Sequence, residues 1–178
     1  MSQLLSVACF TFLATVVYSI TCPANFVKFK TFGQRCFNLQ PPTKISWTDA
    51  SSTCSNMGAY LIEPQDRDDI TEFVKAAKGI YDGDKKLKRM WIGFVAANSA
   101  QNTPYVGTKC SDEINSTIWY TDEPDRSEGG KDELCVMLKD VKRDRVDDYP
   151  CNWKKKESFF LCEYHFCNNC NNIIENLG

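Results

Sequence analysis

Residues 123–151 run EPDRSEGGKDELCVMLKDVKRDRVDDYPC, and the acids in this stretch organise everything around them. Glu123 and Asp125 flank Pro124, Glu133 lies two residues before Cys135, and Asp147-Asp148 ends three residues before Cys151. Five carboxylates within 26 residues, on loops pinned by cysteines, form a hard-oxygen donor set. Such a set suits a calcium ion better than zinc or copper. A ligand bound here would be held with the help of that ion.

Outward from this cluster, the chain of 178 residues opens on a secretory signal. Residues 1–21 carry no charged side chain, and the apolar run from Leu4 to Val17 is too short to span a bilayer comfortably. Val17-Tyr18-Ser19 supplies the cleavage site, so residues 1–19 are expected to be removed and the mature chain to start near Ile20. No later segment is apolar and long enough to span a membrane, so a soluble, extracellular product is expected. The remaining 159 residues (178 less 19) suffice for one domain with a real core. A formal charge of −2 argues against nucleic acid as a general partner.

Ten cysteines fit that compartment. Cys9 leaves with the signal, and Cys22, Cys36, Cys54, Cys110, Cys135, Cys151, Cys162, Cys167 and Cys170 remain. Nine is odd, so at least one thiol is free or pairs with another chain. Spacing alone leaves the connectivity open.

Cys22 to Phe37 alternates apolar and polar residues as a hairpin does. Ser46 is the expected N-cap of a first helix, with Asp49 three positions on and Trp47, Ala50 and Cys54 at helical spacing; Gly58 stops it. A second helix is expected from Asp66 to about Lys78, closed by Gly79, with Ile70, Phe73, Val74 and Ala77 on one face. Met90–Phe94, Cys135–Leu138 and Phe159–Cys162 have the composition of buried strands, and Ile118-Trp119-Tyr120 is a brief strand-like run. Residues 95–117 lack periodicity and read as a long loop region. The tail, 165–178, is rich in Asn and Cys.

These landmarks together resemble the C-type lectin-like domain over residues 22–164. The matching pieces are Cys22-Pro23, Ser46-Trp47 through Cys54, Gly58-Ala59-Tyr60-Leu61, Trp91-Ile92-Gly93, Glu123-Pro124-Asp125, Cys135-Val136, Asp147-Asp148 before Cys151, and Phe160-Leu161-Cys162-Glu163. The resemblance implies an α+β fold with two helices, two small antiparallel sheets and a long loop region over about 95–134. It also implies the disulfides Cys22–Cys36, Cys54–Cys162 and Cys135–Cys151. In the chain-entropy model the 54–162 closure stabilises by about 4–5 kcal/mol and the 135–151 closure by about 3. Cys110, Cys167 and Cys170 fall outside this plan. One tail cysteine is expected to pair with Cys110; an interchain disulfide, giving a homodimer, is the alternative use of the odd cysteine.

The resemblance assigns Ca2+ to Glu123, Asp125, Glu133, Asp147 and Asp148, with a cis Pro124, and places a carbohydrate on Glu123, Asp125, Glu133 and Asp147. Cis bonds are inexpensive only at proline. Two departures stand out. Sugar-binding members usually carry Asn where this chain has Asp147, and Glu123-Pro124-Asp125 matches neither Glu-Pro-Asn of mannose-type members nor Gln-Pro-Asp of galactose-type ones. Val146 replaces the usual tryptophan. Carboxylates accept hydrogen bonds but do not donate them, so a diol seated on the ion lacks a side-chain amide donor. Each unmatched pair costs about 1–3 kcal/mol, unless Lys131 or a water supplies the donor.

Among the remaining features, Lys85-Lys86-Leu87-Lys88-Arg89 reads as a solvated turn before a strand, although such a run can attract sulfated or sialylated glycans. Arg143, Arg145 and Lys154-Lys155-Lys156 alternate with Asp144 and Glu157, the pattern of ordinary surface pairing. Asn115-Ser116-Thr117 is an N-glycosylation acceptor. The one histidine, His165, lies in the tail and leaves no base for a nucleophile, so no catalytic residue is expected. The expected function is calcium-dependent glycan recognition, in defence or agglutination; the other reading is a module that binds protein, lipid or mineral surfaces.

Overall fold

The computed structural model describes residues 21–28, 35–81, 87–128 and 130–164. The signal segment, part of the first hairpin, the start of the basic run and the tail with Cys167 and Cys170 lie outside the described residues. The strands are β1 (Val27–Lys28), β2 (Cys36–Thr43), β3 (Ala59–Leu61), β4 (Met90–Ala96), β5 (Tyr105–Gly107), β6 (Ser127–Glu128), β7 (Lys131–Asp132), β8 (Cys135–Leu138), β9 (Asp147–Tyr149) and β10 (Ser158–Tyr164). The helices are α1 (Trp47–Asn56) and α2 (Arg67–Ile80).

One eight-stranded sheet runs β1-β2-β10-β4-β8-β9, with β3 added on β10 and β5 on β4; β6 and β7 form a separate ribbon. The two sheets are therefore unequal, and the larger contains one parallel pair, β10 with β4, in register Phe159↔Met90. Both faces of the central strands are covered, which is why β4 and β10 read as continuous apolar runs. Alternation sends Phe159 and Leu161 towards Ile70, Phe73, Val74 and Ala77 of α2. Phe160 and Cys162 point to the opposite cluster, with Trp47, Ala50 and Cys54 of α1.

The three expected disulfides are present: Cys22–Cys36, Cys54–Cys162 and Cys135–Cys151. Cys110 is disulfide-bonded as well; the tail cysteines offered as its partner lie outside the described residues. The Ser46 side chain caps α1, accepting from the Asp49 N–H at 3.1 Å while its hydroxyl donates to Asp49 Oδ2 at 2.7 Å. Gly58 ends that helix with φ +67°, as expected.

Elsewhere the structure corrects the expectations. Gly79 does not close α2, which continues to Ile80 and ends where the Tyr81 N–H reaches the Ala77 carbonyl. Residues 95–117 are not loop throughout, because β5 pairs with β4 through Val95↔Val106. Ser116–Ile118 is a 3-10 turn rather than the start of a strand, and Trp119 makes one parallel bridge to Val146. Val146 itself is fully buried, in the cluster that holds Ile118, Trp119 and Tyr105.

Glu63 is the acid that sequence reading passed over. Its side chain is 6 % exposed and accepts from the Lys109 N–H at 2.7 Å and the Thr108 hydroxyl at 3.2 Å, fastening the root of the long loop to the end of β3. A Cβ at Gly107 would overlap that carboxylate, and one at Gly93 would sit 2.5 Å from the Leu61 carbonyl, so both positions need glycine. Burial raises the Glu63 pKa, opposed by the Lys109 N–H, the Thr108 hydroxyl and the Lys109 charge, and reinforced by Glu163.

Two stability effects follow. Ser46→Ala is expected to cost about 1 kcal/mol in urea denaturation, the usual loss for an N-cap. For Glu63, a folded pKa above the unfolded value of about 4.3 means that the folded state binds the proton more readily. Wild type should therefore gain stability relative to Glu63→Gln as pH falls from that raised folded value towards 4.3. Melting curves of both proteins across that window check it; a constant difference contradicts the argument.

Candidate functional site

The pairing of β8 with β9 places the two adjacent acids. Met137 lies opposite Asp147 and Val136 opposite Asp148, and Cys135–Cys151 closes the connection. The pleat turns Asp148 and Asp147 to opposite faces of a short edge strand. Asp148, 1 % exposed, points under the long loop. Tyr105 Oη lies 2.6 Å from Asp148 Oδ2 and 2.5 Å from the Glu133 carbonyl oxygen, and donates its proton to one at a time. The Arg126 N–H donates to Asp148 Oδ2 at 2.9 Å. Arg126 reaches it from a left-handed conformation, φ +67°, with its guanidinium 4.8 Å from the Tyr105 ring centre and one nitrogen donating to the Thr103 carbonyl.

Asp148 Oδ1 has no hydrogen-bond partner among the described residues, although it is buried. That oxygen belongs to a side chain shared by two carboxylate groups. In one, oxygens of Glu123, Asp147 and Asp148 lie within 4.8 Å of one another; in the other, Asp125, Glu133 and Asp148 do. All five acids singled out in the sequence thus meet around Asp148. The Glu123–Pro124 bond is cis. The Asp125 N–H donates to Glu123 Oε2 at 3.0 Å, and the Ser127 N–H to Asp125 Oδ1 at 3.2 Å, so the turn orients its own carboxylates.

Electrostatics records the crowding. Burial, and then the charge of Asp147, pushes the Glu123 carboxyl up to about 8. Burial raises Asp148 too, against the Tyr105 and Arg126 donors that favour its charge. Burial, and then Asp148, raises the Tyr105 phenol. The Glu123 and Asp148 shifts mark a place where negative charges crowd together and a cation would relieve them. An orphaned buried oxygen, five hard donors and this repulsion fit a divalent ion with oxygen preference.

Three participants were missed: Tyr105, Arg126 and Lys139. Lys139 Nζ sits 2.8 Å from Asp147 Oδ2, whereas the sequence reading offered Lys131 as a donor; Lys131 is exposed on β7. Residue 139 lies two beyond Met137, which pairs with Asp147, so the hairpin register would have found it. Asn115 is exposed, and its amide oxygen accepts from the Thr117 N–H at 3.0 Å. Trp91 is fully buried, with its indole N–H on the Ile45 carbonyl, so it is core.

Residues 43–164 match the family described as Lectin C-type domain, well over half of the chain. The chain belongs to the C-type lectin domain family. Its relatives include a perlucin-like protein of Mytilus galloprovincialis, 32% identical over 94 residues, covering 47% of this chain and 58% of that protein. Lectin BRA-2 of Megabalanus rosa is 25% identical over 142 residues, covering 80% of this chain and 69% of that one. Among solved structures, the C-type lectin CEL-I from Cucumaria echinata has a TM-score of 0.61 at 16% identity, covering 83% of this chain and 100% of that one. A calcium-independent type II antifreeze protein has 0.59 at 20%, covering 83% and 96%. At these identities the structures share the fold alone. The family is typically non-enzymatic. Among the described residues no helix is long and apolar enough to cross a membrane.

Tyr105→Phe removes a donor to a buried carboxylate. It is expected to cost about 1.5–3 kcal/mol in the calcium-free protein, the range for hydrogen bonds to charged groups, and chemical denaturation reads this directly.

Proposed function

We propose that this chain is a secreted, calcium-dependent carbohydrate-binding protein. Residues 1–19 are its signal peptide, 22–164 its lectin domain and 165–178 a tail whose spare cysteine serves a disulfide-linked homodimer; Asn115 carries an N-glycan. Glu123, Asp125, Glu133, Asp147 and Asp148 hold Ca2+, and Glu123, Asp125, Glu133 and Asp147 meet the sugar. The observation that carries this reading is Asp148, which belongs to both carboxylate groups and whose buried Oδ1 has no hydrogen-bond partner among the described residues. Calcium, when bound, supplies charge neutralisation and open coordination positions for sugar hydroxyl oxygens.

The side chains do the remaining work. Two ionised carboxylates within 4.8 Å repel by about 3–4 kcal/mol at an effective dielectric of 20, so gathering them holds affinity for a cation in reserve. Tyr105 and the Arg126 N–H fix Asp148. Lys139 fills the donor role that family members give to an amide: an ammonium beside Asp147 donates hydrogen bonds where the carboxylates cannot. Weak single sites gain from pairing in a dimer.

The same lysine favours a second reading. Its ammonium already neutralises Asp147, as a calcium-independent binder of protein, lipid or mineral surfaces would require. Calorimetry separates the two. Calcium should bind with a dissociation constant of about 10⁻⁴ to 10⁻³ M and add about 1.4 kcal/mol of stability at ten times that concentration. Asp148→Asn should abolish both. Retention on glycan columns should reverse with chelator; no heat, no stabilisation and chelator-resistant retention would establish the second reading.

A further inference from the structure

A cleft of about 580 Å³ opens directly beside the acidic site, with Glu123 and Asp147 on one wall. Lys88, Arg89, Lys139, Lys142 and Arg143 supply five cations to its lining, which Asp140, Tyr120 and Thr121 complete. These cations come from separate stretches, one leading into β4 and the other following β8. The antiparallel pairing Met90↔Leu138 brings the stretches together. Backbone contacts hold them there: the Val141 N–H donates to the Lys88 carbonyl and the Phe159 N–H to the Arg89 carbonyl, both at 2.9 Å. The Arg143 guanidinium lies 5.8 Å from the Tyr120 ring centre.

Nearby acids offset this group only in part. Asp144 pairs with Arg67 at 2.5 Å, and Asp140 accepts from the Lys142 N–H in its own turn, which leaves five cations against three carboxylates in the cleft lining. Among the described residues, Lys88, Arg89, Lys142 and Arg143 form no ion pair, in a chain whose formal charge is −2. Two further depressions, of about 420 and 470 Å³, share Lys142 and Arg143; one adds Lys75 and Lys78, the other Arg145. Cations thus continue beyond the cleft, although Lys75 pairs with Glu72 at 3.5 Å and Asp144 lines both depressions.

We propose that Lys88, Arg89, Lys142 and Arg143 form an anion subsite for the sulfate groups of a sulfated polysaccharide lying across the acidic site. The two walls define the ligand. A polyphosphate chain would bring unbroken negative charge against Glu123 and Asp147, whereas a sulfated sugar offers hydroxyls to the acidic wall and sulfates to the basic one. Three depressions that share Lys142 and Arg143 suit a polymer with repeating anions. The inference rests on the glycan-binding reading above for the class of ligand, and it specifies which glycan.

The test compares a sulfated heparin-type oligosaccharide with its desulfated counterpart, each titrated in calcium and in chelator. The triple variant Lys88→Gln, Lys142→Gln, Arg143→Gln is set against a control of equal charge, Lys44→Gln, Lys155→Gln, Lys156→Gln, whose positions are exposed and outside the cleft lining. Wild type should prefer the sulfated form, and the preference should shrink as salt shortens the screening length. The cleft variant should lose about tenfold in affinity for that form alone, while the control loses less than about twofold. The charge-preserving set Lys88→Arg, Lys142→Arg, Arg143→Lys should restore binding and guards against misfolding. Equal affinity for both oligosaccharides, or equal loss in the control, overturns the subsite. Sulfate preference that depends on these residues in a protein without calcium binding leaves the subsite standing and removes the calcium reading. Calcium-dependent binding of neutral sugars without sulfate preference removes the subsite alone.

Discussion

The register of β8 against β9 is the constraint on which the acidic site depends. Val136 opposite Asp148 and Met137 opposite Asp147 decide which acid goes under the loop and which faces Lys139. A slip of one residue would exchange their faces, burying Asp147 and separating Asp148 from Tyr105 and Arg126. The disulfide between Cys135 and Cys151 closes this two-strand unit and opposes such a slip. Glu63 performs a comparable service at the other end of the long loop, where a buried carboxylate just past β3 holds the Thr108 hydroxyl and the Lys109 N–H. The loop is thus fastened by side chains at its root and at its acidic turn, and the intervening residues need little regular structure.

Much of the fold was legible where local chemistry and long-range packing agree. Ser46 and Gly58 bound α1, the apolar face of α2 repeats at helical spacing, and β4, β8 and β10 stand out because both faces are covered. The short strands β5 and β9 were not. Tyr105–Gly107 and Asp147–Tyr149 have three residues each, too few for an alternation to show, although each pairs with the strand just before it in sequence. Gly79 was read as a helix stop, yet it has ordinary helical geometry and open space around it. At the site, the five acids and the cis proline were visible, because their spacing matches the family. Tyr105, Arg126 and Lys139 were not, since each reaches the site through tertiary pairing. The basic residues show the same limit. Lys88–Arg89 and Lys142–Arg143 look like two ordinary surface runs until β4 and β8 are set side by side.

Charge in this molecule is segregated. Acids converge around Asp148 and cations gather beside them, with Lys139 bridging the two groups through Asp147. The net value of −2 conceals that arrangement, because opposite patches cancel in the sum. Segregation costs self-repulsion within each patch, and a pair at the boundary recovers only part of it. Patches that persist under such a cost are characteristic of surfaces that meet a complementary ligand.

The bridge between Trp119 and Val146 bears on how copies of the chain meet. The Tyr120 N–H donates to the Val146 carbonyl and the Val146 N–H to the Ile118 carbonyl, so the chain entering β9 is already paired along its outer side. An open edge there would invite strand addition from a second molecule, the usual route to runaway assembly in sheet proteins. Occupying those groups internally removes the approach to β9 as a template for such addition.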